Sequence, residues 1–310
     1  MSLELRVVST EDDYLAWRQV RIGVVPAERC DTVEELRRDA TPTRLLLLAS
    51  RDGVIIGSGA ADKSDLAGGG SVMPRVLPQF RRQGAGSALL RALSDHVARL
   101  DAGGLNLTRM QSRVDDPGSM EFALRFGFAE TDRQVEQVRP VGDEPEPSGP
   151  PAGVEVVTTA QRPGLWAQSF DRFGQQALAD FAVDNPMQVS AEQWNAYWAG
   201  DPMFLAVVTG PDGQAEVVGC AGLHLDTDQP SRAENALTAV RRDWRGRGLA
   251  SYLKRLTLHW AASSGLTEVC TWTQRGNESM RRLNTHLGYH DGQVSINVSR
   301  PLPLPPPAAS

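Results

Sequence analysis

The chain has 310 residues, 41% of them apolar, and carries a formal net charge of −6 with an isoelectric point near 5.5. That acidity lacks the basic footprint of a nucleic-acid binder, no apolar run approaches the roughly twenty residues of a membrane span, and no signal-peptide pattern opens the chain. Cys30, Cys220 and Cys270 are too few and too scattered for a disulfide framework, so a cytoplasmic protein is expected.

Residues 3–8 alternate as a strand, a helix opens at Thr10 or Glu11 and runs to Val20, and residues 31–38 form a second short helix. Residues 45–49, an Arg51-Asp52-Gly53 turn and residues 54–60 read as a hairpin. A strand at 70–78 leads to Arg81-Arg82-Gln83-Gly84-Ala85-Gly86 and an amphipathic helix from Ser87. A further helix ends at Gly127-Phe128, and the proline-rich, acidic segment 141–151 reads as an exposed linker. The order then repeats: a strand at 154–158, helices near 165–181 and at 191–198, and a hairpin of 204–208 and 217–225 around Pro211-Asp212-Gly213. A strand at 234–240 precedes Arg245-Gly246-Arg247-Gly248-Leu249-Ala250 and a helix from Ser251. A strand at 268–273 precedes a helix with Asn277 as N-cap and Gly288 as its left-handed stop. Residues 301–310, rich in proline and alanine, are expected to be disordered.

Three landmark pairs, Arg81 with Arg245, Asp52 with Asp212 and Gly127 with Gly288, stand at nearly one offset, which indicates two similar domains in tandem. The expected boundaries are 1–140 and 153–300, with a linker at 141–152 and a tail at 301–310. Each half is long enough to bury its own core.

In both glycine-rich turns an apolar strand runs into a helix through Arg-x-x-Gly-x-Gly/Ala. Glycine lets an anion approach the backbone, and the unpaired amides and positive dipole at the helix start bind it. Neither copy has the Gly-Lys-Ser/Thr ending of a P-loop, and neither has a Gly-x-Gly-x-x-Gly with a ribose-binding acid downstream, which argues against nucleotide hydrolysis and dinucleotide binding. The candidate phosphate residues are Arg81, Arg82, Gly84 and Gly86 in the first copy, and Arg245, Gly246, Arg247, Gly248, Leu249 and Ala250 in the second.

This order of strand, loop and helix, followed by Asn277-Glu278-Ser279-Met280 and Leu287-Gly288-Tyr289, resembles the Gcn5-related N-acetyltransferase (GNAT) superfamily, including its tandem two-domain members such as the mycothiol synthases. The resemblance implies an α/β fold with a mixed, twisted sheet in each of two GNAT-like domains. It implies acetyl-CoA as co-substrate, with its diphosphate on these loops, and no metal. Ala239 and Val240 would meet the pantetheine arm through their backbone, Asn277 and Asn284 would lie along the cofactor, and Val76 would do so in the first copy. The acceptor implied is the primary amine of a small molecule, attacked directly in a ternary complex.

Amine attack on a thioester needs a proton acceptor, an oxyanion donor and a means of protonating the thiolate. Glu234, on the strand before the second loop with Thr238 on the same face, is the expected base; an exposed strand-start glutamate is the plainer reading. The first copy has no such acid: residues 70–78 carry only Arg75 as a charge, and Pro74 removes a ladder donor. The first domain is therefore expected to bind CoA without catalysis, or only to support the fold. Where many relatives place a tyrosine acid this chain has Asn284 and Ala123, which leaves water, Tyr289 or Tyr252 and counts against equating the chain with mycothiol synthase. His224 reads as a base, a substrate contact or a structural residue, Cys270 as a buried thiol, and Trp194 with Trp198 as a pocket wall or as packing. The alternative function is a catalytically silent acyl-CoA-binding or regulatory protein. No nucleic-acid or membrane partner is expected, the chain being a monomer or homodimer, and the sequence leaves the acceptor open.

Overall fold

The computed structural model of the chain describes residues 2–181, 187–198 and 202–305. It contains two compact units, one of Met1–Arg133 with Ser295–Ser310 and one of Gln134–Val294. The first is built from β1 (Leu3–Val7), α1 (Glu11–Val24), α2 (Val33–Arg38), β2 (Leu45–Arg51), β3 (Val54–Lys63), β4 (Gly69–Val76), α3 (Ala85–Leu100), β5 (Arg109–Val114), α4 (Pro117–Arg125) and the start of β6 (Ala129–Pro140). The second holds β7 (Glu155–Thr158), α5 (Pro163–Gln168), α6 (Gln175–Ala179), α7 (Ala191–Trp198), β8 (Met203–Thr209), β9 (Ala215–Leu225), β10 (Arg232–Val240), α8 (Leu249–Ser263), β11 (Glu268–Gln274), α9 (Glu278–His286) and the start of β12 (His290–Pro301).

Each sheet is mixed, as expected. In unit 1, β1 to β4 pair antiparallel in sequence order and β4 pairs parallel with β5. In unit 2, β7 to β10 repeat that order and β10 pairs parallel with β11. The last strand of each sequence half lies in the other half's unit. Residues 134–140 of β6 pair with β11, and residues 296–301 of β12 pair with β5. The units thus differ from the expected boundaries by an exchange of terminal strands, so a cut at 141–152 would take one strand from each sheet.

Central strands are apolar on both faces because helices cover both. Leu46 and Leu48 of β2 pack with Trp17 and Leu36 under α1 and α2, while Leu47 and Ala49 pack with Leu89 and Leu93 of α3. On β8, Leu205 and Val207 meet Trp166, Phe173 and Trp194, and Phe204 and Ala206 meet Leu249 and Leu253 of α8. Trp166 and Trp194 are fully buried and stacked with ring centroids 4.3 Å apart. Trp194 is therefore core rather than pocket wall. Capping boxes at Thr10 with Asp13 and at Thr32 with Glu35 start α1 and α2, and Gly127 and Gly288, both at positive φ, follow the ends of α4 and α9.

Two irregular segments differ from expectation. Residues 141–152 carry no strand or helix until the turn at 151–153, yet the Val141 amide donates to the Thr267 carbonyl at 2.8 Å and Arg139 pairs with Glu144 at 2.6 Å, which ties the start of the linker to unit 2. In the expected tail, Pro301 ends β12 and Leu302 and Leu304 pack on the core of unit 1, so apolar side chains between prolines order residues 301–305; 306–310 lie outside the described residues.

Candidate functional site

In unit 2 the parallel pairing of β10 with β11 covers only Arg232–Glu268, Ala233–Val269 and Glu234–Cys270. Beyond Asn235 the strands part. A bulge between Asn235 and Thr238 adds one residue to β10 opposite β9, which bends the strand away from β11. The opening is a cleft of about 550 Å³ between β10, β11, the start of α8, and α9, with Asp180 and Phe181 at one side.

Backbone phase decides which amides face it. The Arg241 amide donates to the Val218 carbonyl, and Arg241 is two residues from Ala239, so both amides point at β9. Those of Thr238 and Val240 consequently point away from β9, into the cleft. Of the expected pair, Val240 turns its amide to the cleft and Ala239 does not, because Ala239 stands in the ladder with Cys220; Thr238 does so in its place. At the cleft's other end Gly246 and Gly248 take φ of 75° and 78°, and Gly248 caps α8 without a side chain. The first intrahelical bond runs from Tyr252 to Gly248, which leaves the amides of Leu249, Ala250 and Ser251 as free donors at the dipole's positive end. Arg245 has its Nε on the Val240 carbonyl at 3.1 Å and also pairs with Asp180, so it staples the loop to the strand end.

Of the sequence-predicted residues, Ala239, Val240, Arg245, Gly246, Gly248, Leu249, Ala250 and Asn277 surround this one cleft. Arg247 does not: its guanidinium lies over Trp244, 4.4 Å from the ring centre. Asn284 is a second correction. It is fully buried, donating to Gln137 at 2.9 Å and Thr273 at 3.4 Å, and is not among the residues that line the cleft. Asn277 caps α9, accepting from the Met280 amide at 3.3 Å. Asn277→Ala is expected to lower unfolding free energy by about 1 kcal/mol in urea denaturation, the usual loss on removing a side-chain cap.

Glu234 stands at the apex, on the last parallel pair, one residue outside the cleft lining, which on β10 begins at Asn235. It lies on the β10 face opposite Ala233, whose side chain packs on Leu258 and Ala261 of α8. Its cross-strand neighbours are His224 on β9 and Cys270 on β11. Cys270 is buried, and burial followed by the Glu234 charge pushes its thiol far up, so it is held neutral. Tyr289 is 3% exposed in the core, its hydroxyl raised by burial. Tyr252 is half-buried against α8's other apolar residues and outside the cleft lining.

Sequence reading missed Lys254 and Asn235. Lys254 is 1% exposed, lines the cleft, gives its Nζ to Asn235 Oδ1 at 3.2 Å and sits 4.9 Å from the centre of the Tyr289 ring. Asn235 Nδ2 donates in turn to the Cys270 carbonyl at 3.0 Å and the Tyr289 hydroxyl at 3.2 Å, pinning β10 to β11 where they part. Burial lowers the Lys254 ammonium to about 7. The signal was present: a lysine on the α8 stripe of Leu258 and Ala261 is at a core position, where lysine is rare.

Unit 1 has the same frame with different chemistry. β4 and β5 pair only from Gly69 to Ser71, and a cleft of about 350 Å³ follows, whose lining includes Val76, Arg81, Arg82, Gly84 and Gly86. Gly84 caps α3 at φ 90°, and Arg81 Nε donates to the Val76 carbonyl at 3.2 Å, repeating the Arg245 staple. Here β3 and β4 pair without a bulge, Ser71 stands in the place of Glu234, and Pro74 stands in that of Thr238. The Leu77 amide donates to Ile56, so position 74 faces the cleft, and proline brings no N–H to it.

Splayed parallel strands opening onto a glycine-capped helix, twice in one chain, agree with the family model that matches residues 12–128 and 173–289, the acetyltransferase (GNAT) family. The chain belongs to the GNAT acetyltransferase family. A mycothiol acetyltransferase of Salinispora arenicola is 27% identical over 273 residues, covering 87% of this chain and 85% of the relative. A GCN5-related N-acetyltransferase structure from Sphaerobacter thermophilus superposes with TM-score 0.72 at 20% identity, covering 96% of this chain and 95% of that one. A tandem GNAT protein from the clavulanic acid biosynthesis pathway does so with TM-score 0.71 at 19% identity, covering 97% and 98%. At these identities the two structures establish the tandem GNAT fold. Members of the GNAT family use acetyl-CoA as acyl donor, and no described helix of this one is long and apolar enough to cross a membrane.

Proposed function

We propose that unit 2 transfers the acetyl group of acetyl-CoA to a primary amine of a small molecule by direct attack, and that unit 1 binds CoA without catalysis. The observation that carries this reading is the bulged, splayed β10. It directs two free amides, of Thr238 and Val240, into a cleft that ends at the unpaired amides of α8. Those helix-start donors suit a diphosphate, and the strand amides suit the pantetheine and the thioester oxygen, whose negative charge grows during attack.

Glu234, at the apex and on the face away from α8, takes the proton from the attacking amine, directly or through water. The nitrogen–carbon bond forms as the carbon–sulfur bond breaks, and the Lys254 ammonium, on the α8 side of the same strand, gives its proton to the leaving sulfur. A donor titrating near neutrality is well matched to a thiolate whose ordinary pKa is about 8.5. Unit 1 lacks all three elements, with Ser71 for the acid, Pro74 for the amide and no bulge. A similarity of 27% to a mycothiol acetyltransferase supports an amine acceptor and leaves its identity open.

Calorimetry on the intact chain tests this, since a split at the linker would unpair a strand in each sheet. Acetyl-CoA is expected to bind the wild type, and Arg245→Glu, which reverses the charge beside the loop, is expected to weaken that site at least tenfold by replacing attraction with like-charge repulsion. Absence of binding by the wild type would refute the reading. Release of free thiol on adding amines then reports turnover.

A further inference from the structure

The cleft of unit 1 contains a cation that has no counterpart in unit 2. Arg75 stands on β4 next to Pro74, lines the cleft and is half-buried. Among the described residues it has no hydrogen-bond or ion-pair partner. Every other arginine of that lining is engaged. Arg81 holds the Val76 carbonyl and lies 3.4 Å from Asp116, and Arg82 pairs with Glu121 at 2.7 Å. Arg113 pairs with Glu28 and Asp115, and Arg125 lies over the Phe122 and Phe126 rings.

The surroundings leave this charge uncompensated. Glu28 is buried and shared by Arg21 and Arg113, and Asp115 also accepts from the Ser295 hydroxyl at 2.7 Å. Within this cluster the guanidiniums of Arg21, Arg75 and Arg113 face the carboxylates of Glu28 and Asp115, and Arg75 is the one left over. Burial, and after it the Arg21 charge, lower the Arg75 pKa to about 9, with Asp115 opposing; a guanidinium so poorly served is a site that lacks its anion. Its place is defined as well: Arg75 aligns with Ala239, between the positions of Thr238 and Val240, whose amides unit 2 directs into its cleft.

We propose that the cleft of unit 1 binds a CoA thioester whose acyl chain ends in a carboxylate, with the Arg75 guanidinium as that carboxylate's partner. The proposal rests on the reading that the loop at 81–86 holds a CoA diphosphate, and it adds the acyl class. A bidentate guanidinium–carboxylate pair selects strongly against an acyl group that ends in a methyl, because the methyl leaves the cation unpaired. The missing Pro74 amide and the Ser71 in place of an acid make this a recognition site, one that retains its thioester instead of activating it.

The test uses the full-length chain carrying Arg245→Glu, so that unit 1 dominates binding, titrated calorimetrically with succinyl-CoA, acetyl-CoA, CoA and free succinate. Succinyl-CoA is expected to bind at least tenfold more tightly than acetyl-CoA or CoA, in line with one added charge-assisted pair. Arg75→Met should abolish that preference, and Arg75→Lys should retain part of it. Equal affinity for succinyl-CoA and acetyl-CoA, or a preference that survives in Arg75→Met, would overturn the proposal. Binding of free succinate as tight as that of its CoA ester would also overturn it, because the anion site would then stand apart from CoA. Failure here leaves acetyl transfer by unit 2 untouched, since that is read separately from thiol release by the wild type.

Discussion

Glu234→Gln is expected to lower the rate of acetyl transfer by about 10²- to 10⁴-fold, the usual contribution of a positioned general base, with acetyl-CoA affinity unchanged. The separation of the two effects follows from strand geometry. Glu234 and Ala233 project to opposite faces of β10, and Ala233 is packed on α8, so the carboxylate lies on the face away from the helix whose amides would hold the diphosphate. The change removes a charge and keeps shape, so the last parallel pair with Cys270 and the ladder with His224 persist. Calorimetry and steady-state thiol release on the same preparation check both halves of the expectation. A loss confined to kcat supports the base. An unchanged rate would remove Glu234 from the mechanism and make its cross-strand neighbour His224 the next residue to replace, whereas a matched loss of CoA affinity would mean that the carboxylate only holds the apex together.

Much of this architecture was legible because its causes are local. Gly248 and Gly84 are required by a left-handed helix entry, Asn277 by an unpaired helix amide, and the Leu45–Arg51 strand by burial on both faces; each leaves a short-range mark in the sequence. The strand exchange left none. β6 and β12 follow equivalent glycine stops and have similar lengths, and which fifth strand each one joins is decided by distant pairing rather than by anything within its own residues. Asn284 differs for another reason: its place along α9 follows from the helix alone, but its partners Gln137 and Thr273 come from two other strands. Arg82 shows the limit of motif reading in the other direction. It adopts φ of 61° where the second copy has Gly246, so the backbone of the loop is kept even where the residue that makes it easy is not.

Lys254→Met is expected to raise stability by roughly 5 kcal/mol at pH 6 while lowering turnover, and the pH at which the gain disappears identifies its cause. Burial lowers the ammonium from 10.5 to about 7, and at about 1.4 kcal/mol per unit such a shift corresponds to roughly 5 kcal/mol held against the folded state. Because the folded pKa lies below the unfolded one, the unfolded chain binds more protons between about 7 and 10.5, so wild-type stability rises with pH across that window. The penalty is complete below about pH 7 and gone above about 10.5. Denaturation at pH 6, 8 and 10 should therefore show the variant's advantage shrinking as pH rises, and an advantage independent of pH would mean better packing alone. The thioether fills the same space without needing Asn235 as an acceptor, so the apex hydrogen bonds to Cys270 and Tyr289 should persist and the fold with them. A buried cation that destabilises its own fold is readily lost unless something requires it, and the proposed requirement is a proton for the leaving thiolate. If so, the wild-type rate should depend on a group titrating near neutrality, and that dependence should vanish in the slower Lys254→Met enzyme; a variant both more stable and fully active would leave the lysine without a catalytic role.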